Sequence, residues 1–389
     1  MSVLFCYDGP IFEYDGKYYT TSFTDDVLSR YRVLSDRLFF IVRVQNITNQ
    51  EIEKYTEISN DFTTIIPCKS ISSPRALFTN YRNAEEIIKK YVQKSEFIIV
   101  RMPSFLGILC SYVARRQHKT LIAEVVTNAR ETLYYHSFIG KLISLPVYHL
   151  MKRSIMNTDH VIYITKEYLQ SIYPTDGCQY ECSDVIVEMC SSDALARRLQ
   201  KNTISNKENH FYMGSIGSVS EKYKGHEIAI KALAILTKKG YDIEYFIVGG
   251  GNPNQLKELS ECLGILDRVH FLGKVPHREI ATLIDKWNLY IQPSLSEAQG
   301  RSLIEAMGRG CICICSDVGG MKELLPKKMR FKKGDYKELA TLIEKALLLE
   351  PEEKNLITNN NIDRARAFNK DTLDEKRRRI FEQIKNKVE

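Results

Sequence analysis

Between Phe211 and Leu325 the chain passes repeatedly from a short strand-like run, through a turn carrying glycine or glutamate, into a helical pattern. Residues 211–216, 244–248, 269–272, 289–292 and 311–315 read as strands. Residues 227–238 read as a helix, with Ile228, Ala232, Leu233 and Leu236 on one face. Strands separated by crossover helices pair in parallel, and a parallel sheet carries helices on both faces. The first half repeats the pattern, with strands expected at 3–7, 38–44, 63–66, 96–102, 120–126 and 160–164. Helices are expected there at 25–35, 84–92, 106–116 and 139–156. The expected fold class is α/β, built from two Rossmann-like, doubly wound domains.

A chain of 389 residues also exceeds a single domain of about 150 residues. We expect an N-terminal domain over 1–195, a polar linker over 196–209, a C-terminal domain over 210–370 and an amphipathic helix over 371–389. In that last helix Asp371 is the expected N-cap. Leu373, Ile380, Phe381, Ile384 and Val388 form its apolar face, opposite Lys376, Arg377, Arg378 and Arg379.

Composition removes several function classes. With 44% hydrophobic and 26% charged residues the chain is not of the disordered kind. No apolar run approaches the roughly 18 residues that cross a bilayer, and the first six residues read as a strand rather than a signal peptide. Ten cysteines without such a signal fit a reducing compartment, so a cytoplasmic protein is expected. Residues 1–195 carry 21 basic against 22 acidic side chains, and the remainder 34 against 26. A basic half suits nucleic acid, an anionic membrane or a phosphorylated small molecule. Its clusters at 327–333 and 376–379 lack interleaved aromatics, so we read them as solvated helix faces and expect no nucleic-acid partner. Cys311, Cys313 and Cys315 share one strand face without a second ligand cluster, which reads as buried thiols and not as a metal site.

The chemistry is expected in the loops. Glu297 follows a strand and Pro293-Ser294, and Glu305 lies eight residues on, in the helix that this loop feeds. Unpaired N–H groups at a helix start attract anions, and Gly300 permits close approach of a phosphate. Carboxylates on either side are good acceptors for sugar hydroxyls. A second loop, 214–218 with Gly217 and Ser218, leads through Lys222 to Lys224-Gly225, where an ammonium behind a glycine turn suits a diphosphate. Gly249-Gly250-Gly251 and Gly319-Gly320, the latter followed by Glu323, also join a strand to a helix, although neither is a G-x-G-x-x-G fingerprint. In a parallel sheet such loops share the carboxyl edge and converge on one ligand.

Taken in order, Lys224-Gly225, the 249–251 turn, Val269-His270-Phe271-Leu272-Gly273, Pro293-Ser294, Glu297, Glu305-Ala306-Met307 and Val318-Gly319-Gly320 with Glu323 resemble the retaining family-4 glycosyltransferases of the GT-B fold. The resemblance covers about 211–326. More loosely, 163–174 is similar to its counterpart in bacterial capsule and O-antigen enzymes. It implies two domains facing a cleft, the last helix crossing back to the first domain, and a nucleoside-diphosphate sugar (UDP- or GDP-linked) as donor. It further implies catalytic roles for Glu297 and Lys224, Glu305 on the donor ribose, and donor contacts from Gly217, Ser218, Gly249, Gly250, Gly300, Arg301, Gly319 and Gly320. No cofactor and no metal are expected, and no Asp-x-Asp occurs in the chain. Two departures stand out: Ser218 occupies the place of a frequent family arginine, for which Lys222 or Arg301 is the candidate substitute, and Ala298 the place of a frequent glycine.

For the acceptor, a saccharide or an undecaprenyl-linked glycan, one candidate is Asp8, in an expected loop after the first strand in which Gly9 is the donor-binding candidate, near the diphosphate. The others, Arg130 and His136, follow residues 120–126. Leu142, Val147 and Met151 beside Lys141, Lys152 and Arg153 form a basic amphipathic stripe suited to peripheral contact with the inner face of the cytoplasmic membrane, or to core packing. A nucleotide-sugar epimerase of the same fold and a non-catalytic sugar-nucleotide scaffold are the competing readings.

Overall fold

A computed structural model describes residues 2–204 and 210–388, the side chain of His136 excepted. The chain forms two compact units, Met1–Cys182 with Asp374–Glu389, and Ser183–Leu373.

In the first unit seven strands run parallel in the order Thr63–Pro67, Leu38–Asn46, Val3–Tyr14, Phe97–Met102, Thr120–Val125, His160–Tyr163 and Cys178–Glu181. Lys17–Thr20 and Thr56–Ile58 extend the sheet antiparallel. Val3, Leu4, Phe5 and Cys6 are fully buried, as befits a central strand covered on both faces. Phe5 packs on Phe23, Tyr31 and Phe40 with ring centroids 4.9–5.4 Å apart.

The first strand departs from expectation. It does not end at Tyr7 in a loop but continues to Tyr14, with a register shift between Cys6 and Pro10. Asp8, Gly9 and Pro10 occupy this irregularity, where pairing to Phe97–Met102 has stopped and pairing to Leu38–Asn46 resumes. A bulge re-aims side chains without ending a strand, which the Gly-Pro pair disguised as a turn. A side chain at Gly9 would begin 2.0 Å from the Tyr7 ring.

The closing helix, Lys370–Asn386, buries Leu373, Ile380, Phe381 and Ile384. Phe381 packs on Tyr31 of the first unit, with centroids 5.7 Å apart, and burying such a side chain is worth about 1.5–3 kcal/mol. Asn369 takes the capping role expected of Asp371, accepting the Asp371 N–H at 2.9 Å. Arg377 is buried rather than on the solvated face, and Val388 is exposed.

The second unit holds, among the described residues, six parallel strands: His210–Ile216, Asp242–Val248, Val269–Gly273, Leu289–Gln292, Ile312–Ser316 and Arg330–Phe331. Their spatial order is third, second, first, fourth, fifth, sixth, the doubly wound arrangement of dinucleotide-binding sheets. Trp287 is buried under the first strand at Gly214, where a Cβ would sit 2.0 Å from its ring. Cys311, Cys313 and Cys315 are buried and free.

The span read as a linker is largely structured. Ser192–Ile204 is a helix of the second unit, and 205–209 lie outside the described residues. Its polar side chains face inward: buried Arg198 donates to the carbonyls of Trp287 and Ile284 at 2.5 and 2.7 Å, and Asn202 to Asn355 and Thr358. Polarity here marks a hydrogen-bonded packing face, which sequence pattern alone does not separate from a solvated tether.

Candidate active site

The first and fourth strands of the second unit are neighbours whose connections leave in opposite directions, so a crevice opens beyond their carboxyl ends. The loops on its two sides are bound to each other. Leu295 N–H donates to the Tyr223 carbonyl at 2.6 Å. Gly225, at φ +71°, lies so close to Pro293 that a Cβ would fall 2.0 Å from the Pro293 carbonyl oxygen. This contact sets Lys224 beside Glu297: Nζ and Oε2 are 2.9 Å apart, with side chains 20% and 17% exposed. Glu297 Oε2 also lies 3.3 Å from Ser294 Oγ and 3.4 Å from Gln292 Nε2. Burial works against the Lys224 charge, but the Glu297 carboxylate outweighs it and raises the ammonium pKa above its ordinary value.

Glu305 sits on the helix Arg301–Gly308, whose N-cap is Gly300 at φ +91°. Burial raises its carboxyl pKa against the opposing charges of His277 and Arg301, and His277 Nε2 is 3.5 Å away. His277 opens a different helix, His277–Lys286, and nothing in its local sequence signals Glu305. Gly320 N–H donates to the Ala298 carbonyl at 3.0 Å, tying the 319–320 turn, with Gly319 at φ +52°, to the glutamate loop.

The remaining loops are stacked just as tightly. Gly217 N–H donates to the Val248 carbonyl and Gly249 N–H to the Gly273 carbonyl, each at 2.8 Å. A Cβ on Gly249 would lie 1.9 Å from the Gly217 oxygen, whereas one on Gly250 would meet only the Lys274 side chain. Ser218 Oγ donates to the Gly250 carbonyl at 3.2 Å. Beneath them His226, which the sequence reading passed over, donates Nε2–H to the Gly217 carbonyl at 3.1 Å. Burial lowers its pKa to about 4, so it is neutral at physiological pH and rigidifies the loop without adding charge. A cavity of about 470 Å³ between residues 219–222 and 252–259 adjoins this edge, with Glu221, Lys222 and Glu227 in its wall but neither Glu297 nor Glu305.

In the first unit Asp8 and Gly9 line a cavity of about 710 Å³ with Arg43, Ser72, Ser104 and Thr132. The Ser72 hydroxyl donates to Asp8 Oδ2, while Asp8 Oδ1 and Arg43 Nε are buried without a hydrogen-bond partner. Arg43 comes from within the strand Leu38–Asn46 and Ser72 from the loop that precedes the helix Pro74–Lys94, and neither carried a sequence signal. Arg130 is exposed and outside the cavity wall; its backbone N–H donates to Asn128 Oδ1 at the start of the helix Ala129–His136. The His136 side chain lies outside the described residues. Among the described residues no group of three or more His, Cys, Asp or Glu could hold a metal ion, and no helix is long and apolar enough to cross a membrane.

Two units on mainly parallel sheets, one with glycine loops and a Lys–Glu pair at its switch point, have the make-up of the GT-B fold. The family model of group 1 glycosyl transferases matches residues 196–363. Protein CapJ of Staphylococcus aureus is 32% identical over 367 residues, covering 92% of this chain and 90% of that protein. The chain therefore belongs to the group 1 glycosyl transferases. Among solved structures, Anabaena Alr3699/HepE in complex with UDP and glucose superposes with TM-score 0.62 at 18% identity, covering 96% of this chain and 97% of that one. WaaG, a glycosyltransferase involved in lipopolysaccharide biosynthesis, gives TM-score 0.62 at 17% identity over 97% and 99%.

Proposed function

We propose that this glycosyltransferase moves a hexose, with retention, from a UDP- or GDP-linked sugar to a saccharide acceptor, lipid-linked, in bacterial surface-polysaccharide assembly. The observation that carries the reading is the Lys224–Glu297 pair, 2.9 Å apart at the switch-point crevice, with half-buried Glu305 on the helix that leaves it. The WaaG likeness and the UDP in HepE support it.

Glu305 binds the ribose hydroxyls of the donor and Glu297 those of the transferred sugar. As the bond from the anomeric carbon to the diphosphate breaks, negative charge grows on the diphosphate, and the Lys224 ammonium and the N–H groups after Gly300 stabilise it. The acceptor oxygen bonds to the anomeric carbon from the same face, and its proton passes to the departing phosphate oxygen. No protein base is required. Because Lys224 supplies the positive charge, the reaction is metal-independent. The acceptor saccharide enters the Asp8–Arg43 cavity.

Membrane contact at the cytoplasmic face belongs to the helix Phe138–Met156, through apolar residues that share only Leu142 with the stripe read in the sequence. Met151 is buried and Val147 lines the cavity, whereas Phe138, Ile139 and Leu142 are 76%, 68% and 67% exposed. The deciding experiment measures release of UDP or GDP from candidate donors with acceptor present, before and after exhaustive chelation. Activity unchanged by chelation and abolished in Glu297→Ala supports the proposal, and release that persists in Glu297→Ala rejects it.

A further inference from the structure

Three titratable neighbours face Glu305 among the described residues. Arg301, one turn earlier on its own helix, acts on it through charge alone. Tyr290, from the strand Leu289–Gln292, is held neutral by burial and donates to Gln292 Oε1. The third is His277, whose Nε2 lies 3.5 Å from Glu305 Oε1. The glutamate side chain is 15% exposed and the imidazole 83%, so the ring stands over the side of the carboxylate that reaches solvent. The backbone of His277 is fixed: Gly273, at φ +68°, turns the chain out of the strand Val269–Gly273, and Pro276 precedes the helix His277–Lys286, whose Ile280 and Ile284 are buried. The ring, mostly in solvent, can rotate away without unpacking anything.

This placement puts the imidazole and the donor in the same space. Ribose hydroxyls that donate to the Glu305 carboxylate must approach from the side that His277 covers, because the rest of the side chain is enclosed. We propose that His277 competes with the donor for Glu305: the imidazolium pairs with the carboxylate, and the ribose hydroxyls displace it with release of its proton to solvent. The inference rests on the reading of Glu305 as the ribose ligand and gives that site a pH-dependent guard. A histidine side chain changes its charge between about pH 5 and 8. At the acid end of this range the guard is an ion pair that the donor must break. At the alkaline end the ring is neutral, holds the carboxylate weakly and yields, so donor affinity rises with pH. The opposite sign is equally concrete: an imidazolium that only kept Glu305 ionised for the ribose would, on removal, weaken binding in acid.

The test is calorimetric titration of the full-length chain with UDP-glucose and with GDP-mannose at about pH 5.5 and pH 8, in pairs of buffers of different ionisation enthalpy. Neither sugar nucleotide changes its own charge over this range. His277→Gln is expected to bind about two- to fivefold tighter than the parent at the acid end, the scale of an ion pair with one exposed partner, and equally at the alkaline end. Proton release on binding near pH 6.5 should be seen in the parent and lost in the variant. Glu305 takes up a proton in acid in both proteins, so the contrast between them carries the result. Binding by His277→Gln that is equal or weaker in acid, or undiminished proton release, overturns the proposal. Glu305→Gln separates the two claims. If it binds as tightly as the parent, the ribose reading fails; if it binds more weakly while His277→Gln keeps the parent's pH profile, the guard alone fails.

Discussion

Lys224 and Glu297 are 73 residues apart in sequence, yet their side chains meet at 2.9 Å because Gly225 and Pro293 pack backbone against backbone. The pair holds the ammonium at the crevice, so the positive charge is positioned in advance of any ligand; in the proposed reaction that ligand is the donor diphosphate. Lys224→Met is expected to lower kcat by about 100-fold or more, the usual scale for losing one preorganised charge partner. It also leaves Glu297 partly buried and unpaired, at a cost of about 1–3 kcal/mol. Adding Glu297→Gln should restore much of that stability and none of the activity. Denaturant unfolding of the two single variants and the double variant checks this; strictly additive stabilities would mean that the pair contributes nothing.

The glycine loops make a sharper prediction, since neighbouring glycines should behave differently. Gly249→Ala drives a Cβ against the Gly217 carbonyl, which is backbone and cannot swing away. Overpacking of this kind costs about 1–3 kcal/mol, and here it spreads the two loops expected to hold the diphosphate. Gly250→Ala meets only the flexible Lys274 side chain. Thermal unfolding and nucleoside diphosphate titration should show Gly249→Ala impaired in both and Gly250→Ala close to the parent.

These contrasts show which parts of the molecule were legible in its residues. The parallel-sheet architecture was, because the short apolar runs of a doubly covered sheet alternate with helical periodicity from Val3 to Cys315. The loops of the second unit were, because Gly225, Gly249 and Gly300 stand where close approach or positive φ excludes a side chain. Side-chain pairing across distant loops was not. His277 near Glu305, Arg43 and Ser72 beside Asp8, and the packing helix of Arg198 all depend on contacts that no local pattern encodes. The bulge at Asp8–Pro10 looked like a chain reversal because Gly-Pro serves both purposes, and only pairing to Leu38–Asn46 separates them.

Glu305 ties stability to pH. Its folded carboxyl pKa stands above the ordinary value of 4.5, chiefly through burial. A carboxyl raised in this way leaves the fold unburdened below the unfolded pKa, and its cost grows as pH rises through the folded one. Glu305→Gln removes the buried charge, so the variant should melt above the parent at pH 8, with the gap closing toward pH 4. The same change should weaken nucleoside diphosphate binding if the carboxylate accepts ribose hydroxyls. A variant that melts lower at pH 8 would show that His277 and Arg301 more than offset the burial.

The exposed helix Phe138–Met156 supplies the last prediction. It carries Lys141, Lys152 and Arg153 and no acidic residue, and at its start Phe138, Ile139 and Leu142 stand in solvent beside Leu145, which is 48% exposed. Soluble surfaces rarely gather so many apolar side chains, and a cationic apolar face suits the interface of an anionic bilayer. The protein should float with phosphatidylglycerol vesicles at low salt and much less with phosphatidylcholine vesicles. Raising the salt should weaken only the electrostatic part, since it screens Lys141, Lys152 and Arg153 but not the apolar insertion. Phe138→Ser/Ile139→Ser/Leu142→Ser should abolish flotation without lowering the melting temperature, because none of the three side chains is buried. Flotation that persists in this triple variant would assign membrane contact to another face of the molecule.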